Sequence, residues 1–213
     1  MRHSTNASRF FTEDERRRIS ATTADVESRT IGEVAVMVVD SSDQYREADA
    51  AGGIFLGSLL ALACTGLFFH FSVWWYIPIS FVLFFPAKSL FQKVPLLKLA
   101  FISLSRKEHA VMQRAERAFF EKGLYRTRKN TGVLFFLSLL ERKVWVLADK
   151  GIYEKIDQAK LNRLASTVSE GIRDGHACDA LCGAIEEAGV ILSRHFPIAP
   201  GDTNELSDEV MTE

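Results

Sequence analysis

Residues 50–87 read AAGGIFLGSLLALACTGLFFHFSVWWYIPISFVLFFPA, thirty-eight consecutive positions in which Lys, Arg, Asp and Glu are all missing. An α-helix rises about 1.5 Å per residue, so one helix of this length would extend ~57 Å, nearly twice the ~30 Å hydrocarbon core of a bilayer. A single tilted span cannot absorb the excess, whereas two spans joined by a tight turn can. His70 and Ser72 are the most polar residues of the run, and Trp74, Trp75 and Tyr76 follow directly. Such rings favour the headgroup level, where an apolar body and a polar tip are both accommodated. The pattern predicts span one over 50–69 and span two over 73–91, with Pro78 and Pro86 as points where the second helix kinks or ends. A buried hydrophobic hairpin in a soluble domain is the competing interpretation. The rest of a 213-residue chain offers too little apolar surface to cover two such helices all round.

Outward from this run, charge is distributed unevenly. The whole chain carries a formal net charge of −1, with a quarter of its residues charged. Residues 1–49 hold seven basic and ten acidic side chains, whereas residues 88–130 hold eleven basic and three acidic ones. A basic block directly after an uncharged run is a topological signal, since Lys and Arg remain on the cytoplasmic side. Both termini are therefore expected in the cytoplasm, with the hairpin tip barely emerging on the far side. Lys88, Lys93, Lys98, Arg106 and Lys107 are expected to face lipid headgroups, and 94–107 suits an interfacial segment or an ordinary linker helix equally well. The N-terminal MRHSTNASRFFTEDERRR lacks the apolar core of a cleaved signal. Three cysteines without framework spacing argue against a disulfide scaffold.

The flanking sequence is that of an α/β domain. Thr12 and Glu15 form a capping box that opens a helix to about Ser28. EVAVMVVD (33–40) is a β-branched run suited to a strand buried on both faces. Ser105 and Glu108 suggest a second capping box, opening a helix that Gly123 stops. TGVLFFLSLLERKVWVLADKGI (131–152) reads as a strand hairpin turning at Glu141, Arg142 and Lys143, a turn expected to be solvated. Asp157 caps a helix to Arg173, and a last helix runs from about Cys178 to His195. The long connection between strands one and two favours parallel pairing, and strands two and three pair antiparallel. The fold class is α/β: a small mixed sheet flanked by helices on both faces, with a two-helix transmembrane hairpin inserted in the crossover between strands one and two. The expected segments are residues 1–49 and 94–196 for the α/β domain, 50–93 for the hairpin, and 197–213 for an acidic flexible tail.

Two stretches carry a family resemblance. RTIGEVAVMVVD (29–40) is similar to the T-S-G-E-I-V-V-V opening strand of the TPM domain, and NTGVLFFLSLLERKVWVLADKGI (130–152) to its N-G-V-L-L-L-V hairpin. The family takes its name from a thylakoid-lumen protein, a photosystem II repair protein and an animal receptor-accessory protein. The resemblance extends over about residues 10–49 and 100–210 and reaches uncharacterised bacterial membrane proteins, which implies a bacterial inner-membrane location. It implies either an accessory, assembly or maintenance factor for a membrane complex or a membrane-bound phosphatase, in the latter case metal-assisted. The chain departs from the family at Arg128-Lys129-Asn130-Thr131, where many members carry an acid, and it keeps only Gly151 and a displaced Glu154 of a later glycine-rich loop.

Candidate chemistry is sparse. Ligands of open α/β sheets bind beyond the carboxyl ends of parallel strands. That rule singles out Asp40 and Asp43 after strand one, with Glu33 and Asp149 as further carboxylates able to hold a hard cation through oxygen ligands. Solvated turns would account for them equally. His176, Cys178 and Cys182 fall short of the four ligands of a structural zinc site, so no metal and no cofactor are expected beyond a divalent cation at the carboxylates. Nucleotide and common hydrolase motifs are absent from the sequence. The expected partners are the lipid bilayer and a membrane protein rather than nucleic acid. Self-association through Gly52, Gly53 and Gly57 is a further route.

Overall fold

The computed structural model describes residues 6–127, 129–198 and 205–213. Arg128, noted above, and residues 199–204 of the expected tail lie outside them. The chain divides into two compact units: Met1–Ser42 with His109–Glu213, and Asp43–Glu108.

The first unit is a mixed α/β sheet. A short helix α1 (Ala7–Phe10) precedes α2 (Glu13–Glu27), whose start is the predicted capping box. The Thr12 N–H donates to Glu15 Oε2 at 2.8 Å, and the Glu15 N–H returns to Thr12 Oγ1 at 3.3 Å. Strand β1 (Glu33–Val39) is buried at every position, as its β-branched composition requires. After the second unit, described below, the chain re-enters through a long helix (Leu104–Glu121). Gly123, at φ 79°, then takes the left-handed conformation that a side chain would resist. Strands β2 (Gly132–Ser138) and β3 (Lys143–Ala148) follow, β2 lying parallel to β1 and β3 antiparallel to β2.

Alternation along the strands sends side chains to opposite faces. Val34, Val36, Val38, Phe135 and Leu137 face one side and pack with residues of α2 and of two later helices. Ala35, Met37, Leu134 and Phe136 face the other and pack with Val111, Ala115, Ala118 and Phe119 of the re-entering helix.

The C-terminal tail corrects an expectation. Met211–Thr212 form strand β4, which pairs parallel with β1 and gives the sheet order β3-β2-β1-β4. Val210 is buried in the core, and the Glu213 carboxylate pairs with Arg114 and with Lys122 at 3.0 Å. An apolar strand such as β1 would otherwise present an open row of backbone groups, and the tail covers part of that edge.

The second unit is helical. Helices α3 (Arg46–Phe68) and α4 (Val73–Lys93) form an antiparallel hairpin whose link holds His70 and Phe71 at positive φ. At roughly 35 and 32 Å, both are long enough to cross a membrane, and both are sufficiently apolar. Pro78 and Pro86 lie inside α4 without ending it. The helices approach closely where glycines face the partner: a Cβ on Gly52 would lie 2.3 Å from the Phe91 ring, and one on Gly57 3.1 Å from the Phe84 backbone. The outward surface is apolar and exposed, with Leu67, Phe68 and Trp74 each more than two-thirds accessible. Thr65 donates its hydroxyl proton to the Ala61 carbonyl at 2.9 Å, which satisfies it within the helix. A short α5 (Pro95–Lys98) and a 3₁₀ turn (Leu99–Phe101) lead into α6, the re-entering helix Leu104–Glu121. Its first turn is capped by Ser103, whose Oγ accepts the Arg106 N–H at 3.3 Å, in place of the expected Ser105. In the α/β unit, β3 is followed by α7 (Lys150–Tyr153), α8 (Gln158–Arg173) and α9 (Ala177–His195).

Candidate functional site

At the carboxyl end of β1 the structure builds a polar network that differs from the expected carboxylate pair. Asp40 Oδ1 accepts the Ala7 N–H at 2.6 Å, so this carboxylate holds the N-terminal helix. Two residues on, the Ser42 N–H donates to Glu141 Oε1 at 3.0 Å and the Ser42 hydroxyl to Ser138 Oγ at 2.8 Å. Ser138 in turn donates to Glu141 Oε2. Glu141 is therefore buried, 6% exposed, rather than part of a solvated turn. Its negative charge is matched by an amide and a hydroxyl, the arrangement a buried carboxylate needs.

Glu33 and Asp149 lie at the opposite edge. Glu33 registers with Gly132, whose carbonyl accepts the Asp149 N–H at 2.8 Å. Asp149 caps α7, its Oδ1 accepting the Lys150 N–H at 2.7 Å. The seven residues of β1 place this edge about 20 Å from Asp40, at ~3.3 Å per residue. Glu33 and Asp149 thus share one end of the strands, and Asp40 lies at the other. Near Glu33 the structure adds two residues that the sequence did not single out, Glu27 and Asp208. Burial pushes the Glu27 carboxyl up to about 9, a hydrogen bond that it donates to Asp208 and the charge of Glu33 push the same way, and the Val34 amide opposes them. That amide donates to Glu27 Oε1 at 2.8 Å, and the Glu205 N–H donates to Glu33 Oε1 at 3.2 Å. Glu27 is a protonated carboxyl at neutral pH. Its place three residues before Thr30 gave no local signal of this, because Asp208 arrives from the far end of the chain.

In the helical unit the basic residues divide. Lys98 is buried and pairs with Asp49 at 3.0 Å, also donating to the Gln44 carbonyl at 3.0 Å. Arg106 pairs with Asp43 and with Glu47 at 3.0 Å and lies over the Tyr45 ring. Burial would raise the Asp43 carboxyl, but the Arg106 guanidinium and the Gln44 and Tyr45 amides outweigh it and hold it below the usual range. Lys107 donates to the Leu99 carbonyl at 3.0 Å. Lys93 is exposed and Lys88 half-buried above the Phe84 ring. Of the five cations expected to face headgroups, Lys98, Arg106 and Lys107 are committed within the unit.

Cys178 and Cys182 are buried on one face of α9. Burial and the neighbouring Cys182 push the Cys178 thiol up to about 11, which leaves it protonated and a poor ligand or nucleophile. Among the described residues no group of three or more His, Cys, Asp or Glu is placed to hold a metal ion.

These features define a mixed α/β sheet protein, helices on both faces, with an apolar helical hairpin inserted between its two parallel central strands. Residues 99–190 match the family model of the TPM domain. In fold the chain is similar to the BA42 protein of the psychrophilic bacterium Bizionia argentinensis, known from its NMR structure. The two are 18% identical, with a TM-score of 0.60 and coverage of 96% of each chain. No curated protein matches the sequence.

Proposed function

We propose that this protein is a membrane-anchored TPM-domain protein, held by α3 and α4 as two spans with both termini cytoplasmic, and acting as an accessory or assembly factor for a membrane complex. The anchoring rests on the length and exposed apolar surface of α3 and α4, and one observation carries the topology: β1 precedes the hairpin, β2 follows it, and the two pair in register from Glu33–Gly132 to Val39–Ser138. A sheet cannot form across a bilayer, so the segments entering and leaving the lipid must share one side. The exposed apolar surface of the hairpin and the basic residues Lys88 and Lys93 at its open end support the same topology. The accessory role rests on the domain family together with a site chemistry in which carboxylates are committed to structural bonds.

Cysteine labelling tests the topology. In a chain with Cys64, Cys178 and Cys182 replaced by Ala, single cysteines at positions 13, 74 and 207 are treated with an impermeant maleimide. Positions 13 and 207 are expected to react only in inside-out vesicles, and position 74 only from the opposite face. Labelling of 13 and 207 on different faces, or recovery of the protein in the soluble fraction, refutes the anchoring. Robust turnover of a phosphate monoester by the purified protein would replace the accessory role with the phosphatase one. Photo-crosslinking in native membranes is expected to capture a membrane-protein neighbour.

A further inference from the structure

A cavity of about 470 Å³ opens in the α/β unit beside the carboxyl end of β2. Phe10, Leu137 and Ile172 form apolar walls, and Ser138 lies at the strand end. Arg142, Lys143 and Arg173 also line it, while no carboxylate does among the described residues. Arg142 and Arg173 are solvent-exposed and Lys143 is half-buried, so the lining is positively charged. The guanidinium groups of Arg142 and Arg173 have no hydrogen-bond or ion-pair partner among the described residues. Arg173, in the last turn of α8, also gains from the helix dipole, but Arg142 has no such support.

Arg142 is held in place by its neighbour. Glu141 is pinned by the Ser42 amide and the Ser138 hydroxyl, which closes the β2–β3 turn and leaves Arg142 in the left-handed region at φ 52°. A bulky residue takes that conformation only when its surroundings impose it.

We propose that this cavity binds an organic anion, a carboxylate or phosphate head on an apolar stem. The planar forks of Arg142 and Arg173 suit either head group, and the apolar walls take the stem. The volume lies within the ~300–1,000 Å³ range of small-molecule pockets. The site is independent of the membrane hairpin and of the accessory role proposed above.

The test uses the full chain in phosphatidylcholine nanodiscs, with methyl resonances of Ile172 and Leu137 followed by NMR. Hexyl phosphate and hexanoate are expected to shift both resonances saturably. Inorganic phosphate and hexanol are expected to bind at least about tenfold more weakly, because each supplies half of the recognition. Arg142→Ala and Arg173→Ala should each weaken hexyl phosphate by about tenfold or more, the loss typical of a charge-assisted bond, while Arg117→Ala leaves it unchanged. Should an alanine variant fail to fold, Arg142→Gln and Arg173→Gln replace it. Nanodiscs containing phosphatidylglycerol identify the source: competition with hexyl phosphate assigns a lipid headgroup, and its absence assigns a soluble ligand. Absence of a saturable shift in the wild-type chain, affinity unaffected by both arginine variants, or inorganic phosphate binding as tightly as hexyl phosphate would overturn the proposal.

Discussion

Glu27 couples the docked tail to pH. Its carboxyl, raised from an ordinary 4.5 to about 9, keeps in the folded chain a proton that the unfolded chain releases near pH 4.5. A raised carboxyl contributes its full share of stability below pH 4.5 and loses it progressively as pH climbs toward 9. At pH 7 the accumulated loss has a ceiling of about 3 kcal/mol, at ~1.4 kcal/mol per pH unit. Glu27 is half-buried, so solvent screening reduces this to about 1 kcal/mol. Glu27→Gln keeps an acceptor for the Val34 amide and a donor toward Asp208 while removing the titration. The variant is expected to be about 1 kcal/mol more stable at pH 7 and indistinguishable near pH 4, with the wild-type slope between pH 5 and 9 flattened. Denaturant unfolding of the full chain in nanodiscs, with amide exchange at Val34 and Met211 reporting on the strand and tail, reads the effect. A carbon resonance of the Glu27 carboxyl that titrates near 4.5, or a Gln variant whose pH slope equals that of the wild type, refutes the reasoning.

Other perturbations probe separate features. Asp49→Ala strands the buried Lys98 ammonium and should cost about 3–5 kcal/mol in detergent-driven unfolding, whereas Asp49→Leu with Lys98→Met recovers most of it. Gly52→Leu drives a side chain into the Phe91 ring and should separate α3 from α4, lowering the unfolding midpoint, while Val82→Leu on exposed helix surface leaves it unchanged. Glu141→Ala removes the acceptor for the Ser42 amide and the Ser138 hydroxyl; we expect a loss of about 2 kcal/mol and faster hydrogen exchange at Ser42. Maleimide should leave Cys178 unmodified in the folded chain at pH 8, since its thiol is buried and protonated, and modify it after denaturation.

Features set by neighbours in sequence are legible in the residues themselves. Thr12 and Glu15 cap α2 because a cap spans three residues, and Gly123 stops α6 through its own backbone freedom. The β-branched run at 33–39 and the apolar run at 132–138 mark both strands, and their long connection implies parallel pairing. Bonds that join distant positions carry no such signal. Ser42 meets Glu141 across ninety-nine residues, and Glu27 meets Asp208 only after the tail returns. The tail itself reads as acidic and mobile, yet Val210 and Met211 find a place because β1 offers an open edge.

Composition and spacing alone therefore determined the long helices, the three strands β1 to β3 with their directions, and the apolar length of the inserted hairpin, all of which follow from local pattern and transfer energies. Tertiary structure alone decided which charges are committed: Lys98 to Asp49, Arg106 to Asp43, Glu141 to two serines. The same fold left Arg142 and Arg173 facing a cavity without a carboxylate among the described residues. A charge is satisfied or left free according to what surrounds it in space, and that surrounding exists only once the chain has folded.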